Sequence, residues 1–165
     1  INHIEFEKII TLINCAQRVQ IMGIGGSALT AKDLCFKLLK TGVIAISEQD
    51  THVQIAIANT LKNGDVQIII SYSGDRKEVL IAAQVAQQKG ATVIALTNPK
   101  MNKLRKIADY CIDTIADEDK YRSSSISSRT AQNTITDLIF MSVLQKKGNV
   151  AKILISDISS TVKNI

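Results

Sequence analysis

Residues 66–71 read “VQIIIS”, an apolar run, and residues 71–78 read “SYSGDRKE”. Ser71 and Ser73 stand one residue apart, Gly74 follows, and Asp75, Arg76 and Lys77 lead into a helix-like segment. These are the parts of an anion cradle. A hydroxyl can donate to a phosphate oxygen, a glycine lets the backbone come close, and a helix start offers free N–H groups and the positive end of its dipole. Two further loops have the same character. “GIGGS” at 23–27 follows the apolar run “VQIMG” and carries Gly25 and Ser27, and “TNP” at 97–99 offers Thr97. A lone serine at such a place is ordinarily an N-cap. Hydroxyls at three strand ends around one crevice fit a bound phosphate better than they fit capping.

The glycine loop at 23–27 lacks the third glycine of the dinucleotide fingerprint Gly-x-Gly-x-x-Gly, since Ala28 stands there, and no acidic residue precedes Glu48 at the end of the next strand. No Gly-Lys-Ser/Thr follows, so it is not a P-loop. His52 and His3 are the histidines. A histidine can take up and release a proton near neutral pH, and His52 is a candidate for such a role. The alternative is that His52 caps the helix it begins. Glu48 and Glu118 are other candidate bases, although “ADEDK” (116–120) also reads as a solvated loop. “RSSSISSR” (122–129) opens a long helix, and its serines either cap that helix or close over a ligand or a neighbouring subunit.

The elements that must position these residues alternate in type. Helical periodicity marks 3–16, with Asn2 as cap, then 27–42, 52–64, 77–90, 102–108, 127–147 and 149–163. Short apolar runs mark strands at 19–23, 43–47, 65–71, 91–97 and 109–114. Strands apolar at nearly every position are buried on both faces, which predicts a parallel sheet with helices on both sides. The expected architecture is a three-layer α/β/α sandwich with a five-stranded sheet in the flavodoxin-like order 2-1-3-4-5. Ligands of such sheets bind beyond the carboxyl ends of the strands.

The chain has 165 residues, 45% apolar, which suits a single domain spanning 1–165. The net charge of +5 is scattered apart from “KMNKLRK” (100–106). With aromatics at 4% and none in that cluster, it reads as a solvated helix face rather than a nucleic-acid surface. Cys15, Cys35 and Cys111 form no Cys-x-x-Cys pair and are expected to be buried thiols of a reducing cytoplasm, with no metal site and no cofactor. No run approaches the about 18 apolar residues of a membrane span. The chain begins at Ile1 rather than methionine and is expected to be part of a longer protein. Apolar residues of the first helix (Ile9, Ile10, Ile13) and of the long one (Ile126, Ile135, Leu138, Ile139, Phe140, Val143, Leu144) exceed what one sheet face covers, which predicts an oligomer.

Taken together, “GIGGSALTAKDLCFKLLKTG”, “DTHVQ”, “ISYSGDRKEV”, “GATVIALTN” and “LRKIADYCI” resemble the sugar isomerase (SIS) domain, and in particular the SIS domain of RpiR-family bacterial transcription regulators. The resemblance runs from about residue 19 to 146. It implies a sugar phosphate as ligand, a homodimer or homotetramer, and a preceding helix-turn-helix domain that this chain lacks and through which alone DNA would be bound. It implies that phosphate meets Ser27, Ser71, Ser73 and the turn from Gly74 to Lys77. The family's usual Ser-x-Ser-Gly-x-Thr departs here to Arg76, which either grips phosphate through its fork of donors or points to solvent. In SIS isomerases a histidine in the region of His52 acts on the sugar, sometimes from the neighbouring subunit. The expected function is phosphosugar sensing without turnover, with a phosphosugar isomerase as the alternative.

Overall fold

The structure, a computed structural model, describes residues 2–117 and 125–163. The elements alternate as α1 (His3–Cys15), β1 (Val19–Gly23), α2 (Gly26–Lys40), β2 (Ala45–Ile46), α3 (Thr51–Thr60), β3 (Val66–Ile70), α4 (Lys77–Gln88), β4 (Thr92–Thr97), α5 (Lys103–Ile107) and β5 (Tyr110–Asp113), followed by α6 (Ile126–Lys147) and α7 (Asn149–Lys163). The strands form one parallel sheet in the order β2-β1-β3-β4-β5, as expected.

β1 and β3 are buried at every position, and each face carries its own helices. On one side Ile21, Ile68, Ile70, Ile94 and Leu96 pack with Ile9, Ile10 and Ile13 of α1, Leu34 and Leu38 of α2, and Ile139 and Val143 of α6. On the other, Met22, Ile69, Val93 and Ala95 meet Ala58 of α3, Val79, Ala82, Ala83 and Ala86 of α4, and Leu104 of α5. The alanines let α4 lie close to the sheet. β2 is shorter than the expected 43–47, because only Ala45 and Ile46 pair with β1 at this sheet edge. Short edge strands are common, since an edge has a partner on one side only.

Three of the buried glutamines are linked to one another across the sheet. Gln20 and Gln67 face each other in the β1–β3 register, and Gln67 Nε2 donates to Gln20 Oε1 at 2.9 Å. Gln20 Nε2 donates to the Gln54 carbonyl at 2.7 Å. Gln54 Nε2 donates to the carbonyls of Gly23 (3.0 Å) and Glu48 (2.6 Å), which ties the start of α3 to the carboxyl end of β1.

Two expectations are corrected. The surplus apolar surface is not at Ile9, Ile10 and Ile13 of α1, which are buried against the sheet, although Ile4 of that helix is exposed. It lies on α7, where Ala151 is buried while Val150, Ile153, Ile158 and Val162 are exposed, and on Phe36, Leu39 and Ile44 of α2 and its exit. On α6 it remains at Ile126, Leu138 and Met141. The cysteines are not all buried either: Cys15 is exposed, Cys111 half-buried and Cys35 buried. Cys15 ends α1 on the side away from its buried stripe of Phe6, Ile9, Ile10 and Ile13. Burial pushes the thiols of Cys35 and Cys111 above their ordinary pKa, which disfavours the reactive thiolate. A thiol reagent such as DTNB is therefore expected to modify Cys15 first in the native chain, with Cys35 released on unfolding; fast native labelling of Cys35, read by mass spectrometry, would contradict this packing.

Candidate functional site

The register sets Gly23 opposite Ile70 and Ile70 opposite Leu96, so β1, β3 and β4 end at one level. The loops after β1 and β3 leave side by side and enclose a cleft of about 220 Å³. Gly25, Gly26 and Ser27 line it from the first loop, and Ser71, Tyr72, Ser73 and Arg76 from the second. Ser125 and Ser128 close it from the start of α6. The site therefore unites five of the residues singled out in the sequence, Gly25, Ser27, Ser71, Ser73 and Arg76.

Three helices begin at this cleft, and none of the three is capped by a side chain. The N-cap residues are Gly25 for α2, Arg76 for α4 and Ser125 for α6, and none makes a side-chain capping bond. By contrast, α1, α3 and α5 are capped by Asn2, Asp50 and Asn102. Uncapped helix starts leave backbone N–H groups without intrahelical acceptors and carry the positive end of the dipole. Gly25 has φ 62° and ψ −126°, a conformation open to glycine, which turns the chain from β1 into α2.

The second loop is held from beneath. Thr97, fully buried at the end of β4, donates to the Tyr72 carbonyl at 3.2 Å and accepts from Asn102 Nδ2 at 3.0 Å. Asn98 Nδ2 donates to the same carbonyl at 2.6 Å. Leu104 N donates to the Gly74 carbonyl at 2.9 Å. Gly74 has φ +67°, and a Cβ there would stand 2.2 Å from Asn102 Oδ1. Ser71 Oγ accepts the Gly74 N–H at 3.3 Å, which leaves the Ser71 hydrogen for the cleft. Tyr72 lines the cleft but spends its hydroxyl on the Ala116 carbonyl at 2.6 Å.

The structure does not bring Thr97, Lys77, Gly74 or His52 to the lining. Thr97 supports the Ser71–Ser73 turn from below. Lys77 is the exposed first residue of α4, and Gly74 is the buried hinge of the turn. His52 is exposed in the first turn of α3 and does not cap it; Asp50 does, accepting from the His52 and Val53 N–H groups at 2.8 and 3.0 Å. Glu48 is exposed, and Glu118 lies outside the described residues. Of the serine-rich segment, Ser125 and Ser128 belong to the cleft, Ser128 Oγ donating to the Ser125 carbonyl at 3.2 Å, whereas 122–124 lie outside the described residues. The basic segment 100–106 is only partly a solvated face: Asn102 caps α5, Leu104 is buried, and Arg105 binds the Asn98 carbonyl and Asp113. Sequence reasoning missed Asn102 and Tyr72, whose roles depend on which loop packs under which. Among the described residues lining the cleft none is Asp, Glu or His, and no cluster of metal-ligating side chains occurs. The arrangement suits holding an anion by N–H, O–H and guanidinium donors.

Asn102→Ala removes the α5 cap and the Thr97 bond and is expected to cost about 1–3 kcal/mol in urea unfolding. Gly74→Ala should cost more, because strain at positive φ adds to the clash with Asn102. Equal stability of either variant and the parent would refute this account of the turn.

The family model of the SIS domain matches residues 12–142. The fold is similar to that of the Vibrio vulnificus NanR protein complexed with ManNAc-6P, with a TM-score of 0.91 and 23% identity over 99% of this chain and 62% of that one. This chain thus spans less than two thirds of NanR. It is also similar to the sugar isomerase domain of an RpiR transcription factor from Sphaerobacter thermophilus (TM-score 0.82, 18% identity, 96% of this chain and 87% of that one). A phosphoheptose isomerase from Francisella tularensis has the same fold (TM-score 0.72, 18% identity, 87% and 86%). The matched segment contains all five strands, both cleft loops and most of α6, and the chain belongs to the SIS domain family.

Proposed function

We propose that the chain is the phosphosugar-sensing domain of a bacterial regulator of the RpiR type, and that it binds its ligand without turning it over. The observation that carries this reading is the cleft itself: three uncapped helix starts, three serines of the two strand loops and one guanidinium face it, with no carboxylate or imidazole on its described lining. Proton transfer between sugar carbons needs a base within hydrogen-bond reach, and binding a phosphate does not. The likeness to NanR, whose structure holds ManNAc-6P, supports a sugar phosphate as ligand class. In this reading the phosphate meets Ser27, Ser71, Ser73 and the backbone at Gly25, with Arg76 in place of a threonine hydroxyl. DNA is bound by a further domain of the whole protein, in the cytoplasm.

The alternative is a phosphosugar isomerase. The same fold in the Francisella phosphoheptose isomerase and the exposed His52 at the start of α3 support it. The two readings separate in one experiment. A thermal-shift screen of sugar phosphates that begins with ManNAc-6P finds a ligand through the stability it adds. NMR in deuterated water then reads exchange at the sugar carbons. Binding without deuterium wash-in is expected; wash-in that is lost in His52→Ala would establish the enzyme instead. Ser71→Ala combined with Ser73→Ala should weaken binding by about 2–5 kcal/mol, from about 1–3 kcal/mol for each lost hydrogen bond to a charged group. Unchanged affinity in calorimetry would remove the phosphate from this loop.

We further propose that the sensing unit is at least a dimer. α7 buries only Ala151 against its own chain, and a short helix with so little packing is marginal in water. Its exposed Val150, Ile153, Ile158 and Val162 form an apolar stripe that a second copy would cover. Light scattering is expected to show a dimer or larger species, and Ile158→Asp a shift toward monomer; a monomeric parent chain at micromolar concentration would exclude this interface.

A further inference from the structure

Ser27 and Ser71 line the same cleft but spend their hydroxyls differently. Ser71 accepts the Gly74 N–H and keeps its hydrogen for the cleft. Ser27 Oγ donates its one hydrogen to Gln132 Oε1, on α6, at 3.2 Å, so toward the cleft it presents only lone pairs. Lone pairs repel an anion. Gln132 is fully buried, and its Nε2 group has no hydrogen-bond partner among the described residues. Buried amide donors are ordinarily satisfied, so an orphaned one calls for an explanation.

We propose that Gln132 is a positioning residue that decides whether Ser27 accepts or donates in the cleft, and so tunes the cleft for an anion. The proposal rests on the anion-binding reading above. A half turn of the amide exchanges Oε1 and Nε2. Nε2 then donates to Ser27 Oγ, and the Ser27 hydrogen is free to donate to an anionic oxygen. One rotation thereby satisfies the orphaned donor and turns a repelling group into an attracting one. The orphan becomes Oε1, and unsatisfied carbonyl oxygens are the better tolerated of the two. A sugar hydroxyl, which can both donate and accept, is served by either arrangement; a phosphate oxygen is served by one. Because Ser125 and Ser128 at the start of α6 line the cleft as well, the same helix meets the ligand at its first turn and through Gln132.

The test uses sulfate, whose charge is constant over the range, beside inorganic phosphate. Gln132→Glu introduces a carboxyl group that burial holds above its ordinary pKa of about 4.3. When protonated it donates to Ser27 as Nε2 does. When ionised it can only accept, takes the Ser27 hydrogen and repels the anion. The cations nearby are Arg76 on the lining and Arg129 packed against Gly26. Sulfate binding by the folded Gln132→Glu variant is expected to be weaker than the parent's by more than about tenfold at about pH 8 and to recover at about pH 5, whereas Gln132→Met costs about threefold at both. Parent-like binding by Gln132→Glu at about pH 8, or the same loss at both values, overturns the proposal. Where Gln132→Glu does not fold, the double variant decides: in a Ser27→Ala background Gln132→Met should have no further effect, and an undiminished effect overturns the proposal. A parent chain that binds neither sulfate nor phosphate overturns the anion reading itself, and this inference with it.

Discussion

The parallel register that sets Gly23 opposite Ile70 and Ile70 opposite Leu96 ends three strands at one level, and the cleft depends on it. Strands buried on both faces are poorly protected from slippage by hydrophobicity alone, because either face accepts an isoleucine. Here the protection is polar. Gln20 stands opposite Gln67 and the two side chains are bonded inside the apolar layer. A slip of β3 against β1 would orphan both amides, and a buried amide without a partner costs about 1–3 kcal/mol. Gln54 extends the same network to the carbonyls of Gly23 and Glu48, so the strand end and the turn into α3 are held by one side chain.

With the strand ends level, the helices that follow start side by side. The contrast between capped and uncapped helices then gains meaning. Asn2, Asp50 and Asn102 satisfy the starts of α1, α3 and α5, which lie away from the cleft lining. The starts of α2, α4 and α6 have no such partner. A missing cap costs about 0.5–2 kcal/mol per helix. Three missing caps at one place make a concentration of donors that a bound anion would offset. Around this, the polar residues divide between contact and support. Thr97 and Asn102 reach no ligand space, yet they fix the Tyr72 carbonyl and the Gly74 turn on which the serines ride.

A sensor must also differ between its two states, since a ligand bound equally by both shifts nothing. α6 runs from the cleft, through the Ser27–Gln132, Thr30–Asn133 and Lys37–Asp137 contacts with α2, to Gly148 and the outward apolar stripe of α7. One continuous helix therefore runs from the cleft to the start of α7, whose surface the proposed dimer would use. In this reading the two ends need not touch to be coupled; they need only share a helix with two arrangements.

Much of this was legible in the residues. Helical periodicity and short apolar runs identified the helices and strands of the described residues, and apolar residues at consecutive strand positions pointed to a parallel sheet, because burial on both faces tolerates them. Ser71, Ser73, Gly25 and Ser27 stood out in the sequence as glycine and hydroxyls at strand-to-helix turns, and they line one cleft. What the sequence could not decide is which way each hydroxyl faces. Thr97 ends β4 much as Ser71 follows β3, yet it is turned inward, because Tyr72 and Asn102 pack over it. Ser125 and Ser128 lie far along the chain and meet the cleft only because α6 crosses α2 with its start at the strand ends. The exposure of Cys15 and of α7 likewise depended on which side of a helix the sheet occupies. Local sequence specifies an element and its faces; contacts between distant segments follow from how those faces stack, and that belongs to the tertiary structure alone.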